Sequence, residues 1–129
     1  KYLNSGQTCV APDYLLLQNS IKEEFVQYLK ETIVLFYTNE PLENEYYTNI
    51  VNEKHFNRIV ELMKGEKIVH GGDIDREKLK IEPTILDKVT LDSPIMQEEI
   101  FGPVLPIITF DEIDEVEDII LQRENPLAL

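Results

Sequence analysis

Hydrophobic positions along the chain alternate between short continuous runs and helical spacing. The run YLLLQ at residues 14–18 predicts a buried strand. After it, apolar residues recur every three or four positions to about residue 37, at Ile21, Phe25, Leu29, Ile33 and Phe36. This spacing predicts a helix with one apolar face. Ser20 followed by Glu23 has the spacing of a capping box, which predicts that the helix begins there.

Two further helices are predicted by the same spacing. One covers about residues 53–64, with Gly65 in the position that closes a helix. Its apolar face carries Phe56, Ile59, Val60 and Met63. The other begins near Asp111, with Asp114 three residues later, and ends near residues 125–126. Its predicted inward side chains are Ile113, Val116, Ile119 and Ile120.

Short runs rich in Ile, Val and Leu predict the remaining strands, at residues 67–70, 79–86, 104–110 and from 127 onward. A charged loop is predicted at residues 73–78, and the Pro- and Gly-containing segment 92–103 predicts irregular backbone. Strands that alternate with helices require crossover connections. We therefore expect an α/β fold of three layers, α/β/α, with a largely parallel sheet.

Composition limits the classes of function. The chain has 129 residues, and 12 Lys and Arg against 25 Asp and Glu give a formal net charge of −13. Such acidity argues against binding to nucleic acid or to anionic lipid. No apolar run is long enough to predict a membrane-spanning helix. The single cysteine, Cys9, excludes an internal disulfide and a multi-cysteine metal cage, and we expect a cytoplasmic protein.

The acidic pair Asp73 and Asp75 resembles the start of a calcium loop. The glycine and the glutamate that such a loop requires are missing from the spacing, so no metal site is expected. The chain begins at Lys1 and stops in the apolar stretch 126–129. Because mature termini are usually polar, we expect the sequence to be a piece of a longer chain.

Two segments carry candidate chemistry. Cys9 follows glycine and small polar residues, which is compatible either with a small buried thiol or with an accessible nucleophile. A nucleophile needs a base, and neither His55 nor His70 shows a sequence relation to it. The pair Glu98 and Glu99, before an aromatic residue and a Gly-Pro turn, fits a solvated loop or a carboxylate that binds ribose hydroxyls.

The two segments together resemble the aldehyde dehydrogenase superfamily, and most closely its class 3 branch. The resemblance rests on residues 4–14, NSGQTCVAPDY, and residues 98–106, EEIFGPVLP, with PTIL at 83–86 and PIMQ at 94–97 between them. It covers essentially the whole chain. The chain then corresponds to part of the catalytic domain, and the dinucleotide-binding domain is absent from it.

The resemblance implies oxidation of an aldehyde to an acid with NAD or NADP. In the family, the cysteine at the position of Cys9 attacks the aldehyde, an asparagine and the cysteine N–H stabilise the oxyanion, and a glutamate activates the water that cleaves the thioester. Glu99 matches the ligand of the nicotinamide ribose, and Phe101 lines the nicotinamide side of the cofactor site. The asparagine and the general-base glutamate match no position here. The isolated chain is therefore expected to be inactive and to self-associate, and the longer enzyme to be a homodimer.

Two other function classes remain open from the residues alone. One is a cysteine hydrolase or thiol-esterase that uses Cys9 without redox chemistry. The other is a non-catalytic interaction module that keeps the fold. Having both Cys9 and Glu99 favours the dehydrogenase, because a hydrolase needs no ribose ligand.

Overall fold

The computed structural model describes residues 1–122 and 127–128. In chain order, the helices and strands are β1 (Leu15–Gln18), α1 (Lys22–Tyr37), α2 (Glu53–Leu62), β2 (Lys67–His70), β3 (Ile74–Asp75), β4 (Lys80–Ile81), β5 (Thr84–Asp87), β6 (Val104–Phe110) and α3 (Asp114–Leu121). Short 3-10 turns cover Leu3–Gly6, Asn19–Ile21 and Pro94–Met96.

The main sheet has four strands in the order β1-β6-β5-β2. Strands β1, β6 and β5 are parallel neighbours, with Leu15 opposite Ile107 and Thr84 opposite Val104. Strand β2 pairs antiparallel with β5 at one edge. The predicted α/β fold with a mostly parallel sheet is confirmed.

Alternate residues of the strands bury side chains on opposite faces of the sheet, as strand geometry requires. On one face, Ile85 and Leu105 pack with Ile33 of α1. On the other face, Leu86 and Val104 pack with side chains of α2, and Ile119 of α3 lies against the same cluster. The helices thus cover both faces and give the three expected layers.

The strand predicted for residues 79–86 is wrong as a single element. Pro83 separates β4 from β5, because a proline cannot donate a ladder hydrogen bond. Strand β4 pairs with β3 in a separate two-stranded sheet, which lies within the segment predicted as a charged loop and the start of that strand. The charged side chains of this hairpin are what made it look like a loop.

Helix α1 is present over the predicted range, but its predicted start and apolar face are partly wrong. The Ser20 hydroxyl donates to Gln18 Oε1 and does not cap the helix. The face that packs on the sheet consists of buried Ile33 and partly buried Val26, Leu29 and Tyr37. Phe25 and Phe36 are 39% and 69% exposed, because the sheet packs against the neighbouring helix face.

Helix α2 confirms the sequence prediction closely. Phe56 and Ile59 are completely buried, and the Asn52 side chain caps the helix by accepting from the His55 N–H at 2.9 Å. Gly65 follows the helix with a positive φ of 81°, as its closing role requires.

Helix α3 agrees less well, because its residue Ile113 at the N-cap is 70% exposed. The helix begins at Asp114, not near Asp111, and the Glu115 carboxylate accepts from the Asp111 and Glu112 N–H groups before the helix at 3.2 and 2.8 Å. The predicted helix end at residues 125–126 lies outside the described residues. Leu127 and Ala128 are not in a strand, and Leu129 lies outside the described residues.

The direction of the strands places the two candidate segments together. Cys9 precedes β1, and the turn with Glu99 and Phe101 precedes β6. Because β1 and β6 are parallel neighbours, their amino ends lie at the same edge of the sheet. The topology therefore brings the two segments together at the end of the sheet where β1 and β6 begin.

Candidate active site

The segment before Cys9 is a tight left-handed turn. Asn4, Ser5 and Gly6 have positive φ values of 51°, 51° and 72°. Two side chains fix this turn to the segment before α2. Ser5 Oγ donates to the Thr48 carbonyl, and Gln7 accepts from the Val51 N–H at 2.9 Å and donates to the Asn49 carbonyl at 3.0 Å. We call residues 1–14 the cysteine loop. Ser5 and Gln7 hold its first half, and β1 holds its other end.

Cys9 lies at the tip of this loop and is exposed. The Ala11 N–H donates to the Thr8 carbonyl at 2.9 Å, which places Cys9 inside a turn. Within the described residues, no hydrogen bond takes up the Cys9 N–H. The thiol is therefore accessible, and a backbone donor beside it is available to an oxyanion.

The cysteine loop and the turn at residues 98–103 touch through two glycines. A Cβ atom on Gly6 would lie 2.1 Å from the Gly102 carbonyl oxygen, and one on Gly102 would lie 2.6 Å from Ile59 Cδ1. The backbones therefore approach more closely than any side chain would allow. Gly102 is packed between the cysteine loop and α2, so the three elements form one unit.

Two charged side chains hold the second turn from opposite directions. Arg58 of α2 donates to the Glu99 carbonyl at 3.1 Å and to the Ile100 carbonyl at 2.6 Å. Asp13 of the cysteine loop accepts from the Ile100 N–H at 2.9 Å. Phe101 has a positive φ of 46°, which only a well-fixed turn maintains in a residue of this size.

This turn presents the side chains of Glu99 and Phe101 outward. Glu99 is exposed and Phe101 is half-buried. The Glu99 carboxylate makes no hydrogen bond within the described part of the chain, so it is available to a ligand. Burial lowers the pKa of Lys1 to about 8, and the charges of Asp13 and Glu99 oppose that shift. A cation thus lies near the Glu99 carboxylate.

Neither histidine takes part in the site. His55 is exposed in the first turn of α2, and His70 pairs with Ile85 at the edge of the sheet. Burial, together with Lys30, lowers the pKa of His70. In the described ranges, no hydrogen bond joins either imidazole to Cys9.

The sequence interpretation missed Arg58, and it quoted Asp13 without giving it a role. Arg58 is next to Ile59 in the sequence but lies off the apolar face of α2, so the helical pattern does not distinguish it from a solvated basic residue. Asp13 follows a proline close to Cys9 and offers only a weak signal. Their contact with the Glu99 turn spans 41 and 87 residues of chain and is not visible in any local pattern.

Metal-binding clusters and membrane-spanning helices are both absent from the described residues. No group of three or more His, Cys, Asp or Glu side chains there is arranged to hold a metal ion. None of the described helices is both long enough and apolar enough to cross a membrane.

An exposed cysteine and an outward carboxylate on two fixed loops agree with the family that the sequence motifs suggested. The model of the aldehyde dehydrogenase family matches residues 1–125. The chain therefore belongs to the aldehyde dehydrogenase family.

Individual relatives are similar over the whole chain. It is 48% identical over 129 residues to the mouse (Mus musculus) protein named aldehyde dehydrogenase, dimeric NADP-preferring, and covers 28% of that protein. It is 47% identical over 131 residues to 4,4'-diaponeurosporen-aldehyde dehydrogenase of Staphylococcus aureus, again covering 28% of the relative. The chain thus spans just over a quarter of the length of these relatives.

Solved structures agree with this assignment. The substrate-bound state of Staphylococcus aureus AldH superposes with a TM-score of 0.95 at 46% identity, over 98% of this chain and 28% of that one. An indole-3-acetaldehyde dehydrogenase in complex with NAD+ superposes with a TM-score of 0.74 at 33% identity, over 89% of this chain and 25% of that one.

Proposed function

We propose that this chain is part of the catalytic domain of an enzyme that oxidises an aldehyde to a carboxylic acid with NAD or NADP. The observation that carries the proposal is the Gly6–Gly102 contact, which joins the loop of Cys9 to the turn of Glu99 and Phe101. A nucleophile and a ribose-binding carboxylate are then held in one rigid unit. A hydrolase would not need the second of these.

Cys9 is the proposed nucleophile. Its thiolate attacks the aldehyde carbonyl carbon and forms a thiohemiacetal, whose oxyanion accepts a hydrogen bond from the Cys9 N–H. Loss of hydride from that carbon leaves a thioester, and water then releases the acid and regenerates the thiol. Among the described residues, no base is hydrogen-bonded to Cys9, so the groups that activate the water and complete the oxyanion site are proposed to come from other parts of the enzyme.

Glu99 and Phe101 are the proposed cofactor contacts. When bound, the nicotinamide supplies the hydride acceptor. The exposed Glu99 carboxylate has unused acceptor capacity for two ribose hydroxyls, and half-buried Phe101 offers a ring against which a planar group can pack. The residues present thus fit one end of a dinucleotide. The sequence holds no Gly-rich phosphate-binding fingerprint, so the pyrophosphate site is proposed to lie on the dinucleotide-binding domain outside these residues.

The proposed partners are an aldehyde substrate and a second copy of the full enzyme, in the cytoplasm. The mouse relative is named as dimeric, which supports a homodimer. Self-association of the 129-residue chain is supported by large exposed apolar side chains on α1, among them Tyr28, Leu35 and Phe36.

The test of the nucleophile uses the full-length protein that carries this segment. Cys9→Ala and Cys9→Ser are assayed by absorbance of the reduced cofactor with an aldehyde and NAD or NADP. Both variants should lose turnover, because neither offers a thiolate, while circular dichroism remains unchanged. Aldehyde oxidation by Cys9→Ala at more than a trace level contradicts the proposal.

The test of the cofactor site compares two carboxylates. Glu99→Gln should raise KM for the cofactor and slow hydride transfer, because displacement by about 1 Å can cost on the order of 10²-fold in rate. The control is Glu61→Gln, which removes an exposed carboxylate paired with Lys64 on α2. Equal behaviour of the two variants would assign Glu99 to a solvated loop.

The isolated 129-residue chain should not oxidise aldehydes. Glu99 and Phe101 alone provide too few contacts to hold a dinucleotide against the entropy lost on binding. Its thiol should still react with iodoacetamide, because alkylation needs only an accessible thiolate. Sustained cofactor reduction above that of the Cys9→Ala chain would show that the 129 residues are sufficient.

A further inference from the structure

Arg58 makes three hydrogen bonds to the turn that carries Glu99, and none of them involves the Glu99 carboxylate. One guanidinium nitrogen donates to the Glu99 carbonyl at 3.1 Å and to Glu98 Oε2 at 3.3 Å. The other donates to the Ile100 carbonyl at 2.6 Å. The side chain of Arg58 is 23% exposed. Its bond to the Ile100 carbonyl is partly buried, whereas its bonds to Glu98 and to the Glu99 carbonyl are exposed.

The turn has no regular structure to satisfy these backbone groups. Two consecutive carbonyls, those of Glu99 and Ile100, point toward α2, and the intervening Ile100 N–H points toward Asp13. Ile100 is completely buried, so its carbonyl would be poorly hydrated if it lost the bond from Arg58. The positive φ of Phe101 adds strain that these bonds must hold. The direction in which Glu99 leaves the backbone therefore depends on Arg58.

We propose that Arg58 is a positioning residue for cofactor binding, which acts through Glu99 and does not touch the cofactor. The inference rests on the proposed function. The planar guanidinium spans two adjacent carbonyls at once, which an ammonium group cannot reproduce. Because α2 is anchored in the core by Phe56 and Ile59, Arg58 connects the ribose-binding turn to the helix that has the most buried side chains among those described.

Arg76, between β3 and β4, provides a matched control because it contacts the same helix. It donates to Asn57 Oδ1 at 2.8 Å and lies 5.5 Å from the ring centre of Phe56, but it does not contact the Glu99 turn. If Arg58 only stabilised α2, its removal would resemble the removal of Arg76. A positioning role predicts a different kinetic signature.

The experiment compares Arg58→Gln, Arg58→Lys and Arg76→Gln in the full-length protein. Arg58→Gln should raise KM for NAD or NADP by roughly 10- to 100-fold, since small displacements of a positioning group have effects of that order. KM for the aldehyde and the rate of Cys9 alkylation by iodoacetamide should be unchanged. Arg58→Lys should show a smaller rise in cofactor KM, and Arg76→Gln none.

A double variant tests whether Arg58 acts through Glu99. Arg58→Gln combined with Glu99→Gln should bind the cofactor no more weakly than Glu99→Gln alone, because both changes remove the same contact. Additive losses would overturn the proposal, as would a cofactor KM for Arg58→Gln equal to that of wild type or Arg76→Gln. If Arg58→Gln does not fold, Arg58→Lys decides, and a wild-type cofactor KM overturns the proposal.

The two proposals fail in different ways. If Glu99→Gln leaves the cofactor KM unchanged, the assignment of Glu99 itself is wrong. If Glu99→Gln weakens cofactor binding and Arg58→Gln does not, only the positioning role of Arg58 is overturned.

Discussion

The two faces of the sheet are covered in different ways. On the face of α2, Phe56 and Ile59 are completely buried among sheet residues. On the face of α1, Ile33 is the one fully buried residue among those described for the 16-residue helix, and Phe36 on its outer side is 69% exposed. The α2 side is therefore held by its hydrophobic core, whereas α1 is held partly by charge.

The charged contact is at the first residue of α1. Lys22 donates to Asp87 of β5 at 2.9 Å, and Lys67 of β2 donates to the other oxygen of the same carboxylate at 2.9 Å. The candidate active site lies against α2 and not against α1, through Arg58 and the Gly102–Ile59 contact. The difference shows that the site is built on the better-packed half, as positioning of reactive groups requires.

The largest expected effect is on the free energy of unfolding, and it distinguishes the α2 face of the sheet from the α1 face. Phe56→Ala should lower the free energy of unfolding by about 3–5 kcal/mol, because it leaves a cavity in the α2 core. Phe36→Ala should change it by less than about 0.5 kcal/mol, because that ring is mostly in water. Urea denaturation at low protein concentration measures both. Similar losses for the two variants would contradict the contrast between the faces.

The second effect concerns the glycine contact on the α2 side. Gly6→Ala places a Cβ atom 2.1 Å from a carbonyl oxygen that belongs to backbone and cannot rotate away. Overpacking of this kind costs about 1–3 kcal/mol, in addition to the strain of the positive φ. Gly65→Ala is the control, because Gly65 has a positive φ with open space around it. The denaturation midpoint should fall more for Gly6→Ala, and equal shifts would mean that the loops do not need their close approach.

The smallest effect tests the charge that holds α1. Burial alone would raise the pKa of Asp87, but hydrogen bonds from Lys67 and Lys22 outweigh it and lower the pKa to about 2 from the usual 3.8. Because the folded pKa is depressed, the stabilisation is present above about pH 4 and is lost as the pH falls through about 2.

Asp87→Asn should therefore cost about 2 kcal/mol near pH 6, and the difference from wild type should shrink toward pH 2. Urea denaturation at several pH values measures this difference. A difference that stays constant over that range would show that the lysine contacts do not stabilise the fold through the charge of Asp87.

The parts of this protein that the sequence predicted are those with local periodicity. The buried face of α2 follows from the spacing of Phe56, Ile59 and Met63. The apolar run at residues 14–18 predicted β1. Helix α1 was predicted at the right place with a partly wrong face, because apolar residues occur on more than one side of it. Cys9, Glu99 and Phe101 were named as candidates from the family resemblance of their motifs, whereas Arg58 was missed.

Spacing along the chain determines which side of a helix or strand is apolar, and a short motif determines which residues can carry chemistry. It does not determine which strands become neighbours. Only the parallel pairing of β1 with β6 places Cys9 and Glu99 at the same end of the sheet. Only the packing of α2 brings Arg58 to the turn that carries Glu99. Those contacts join residues far apart in the chain. They form only when both faces of the sheet are buried together, which no local sequence pattern can predict.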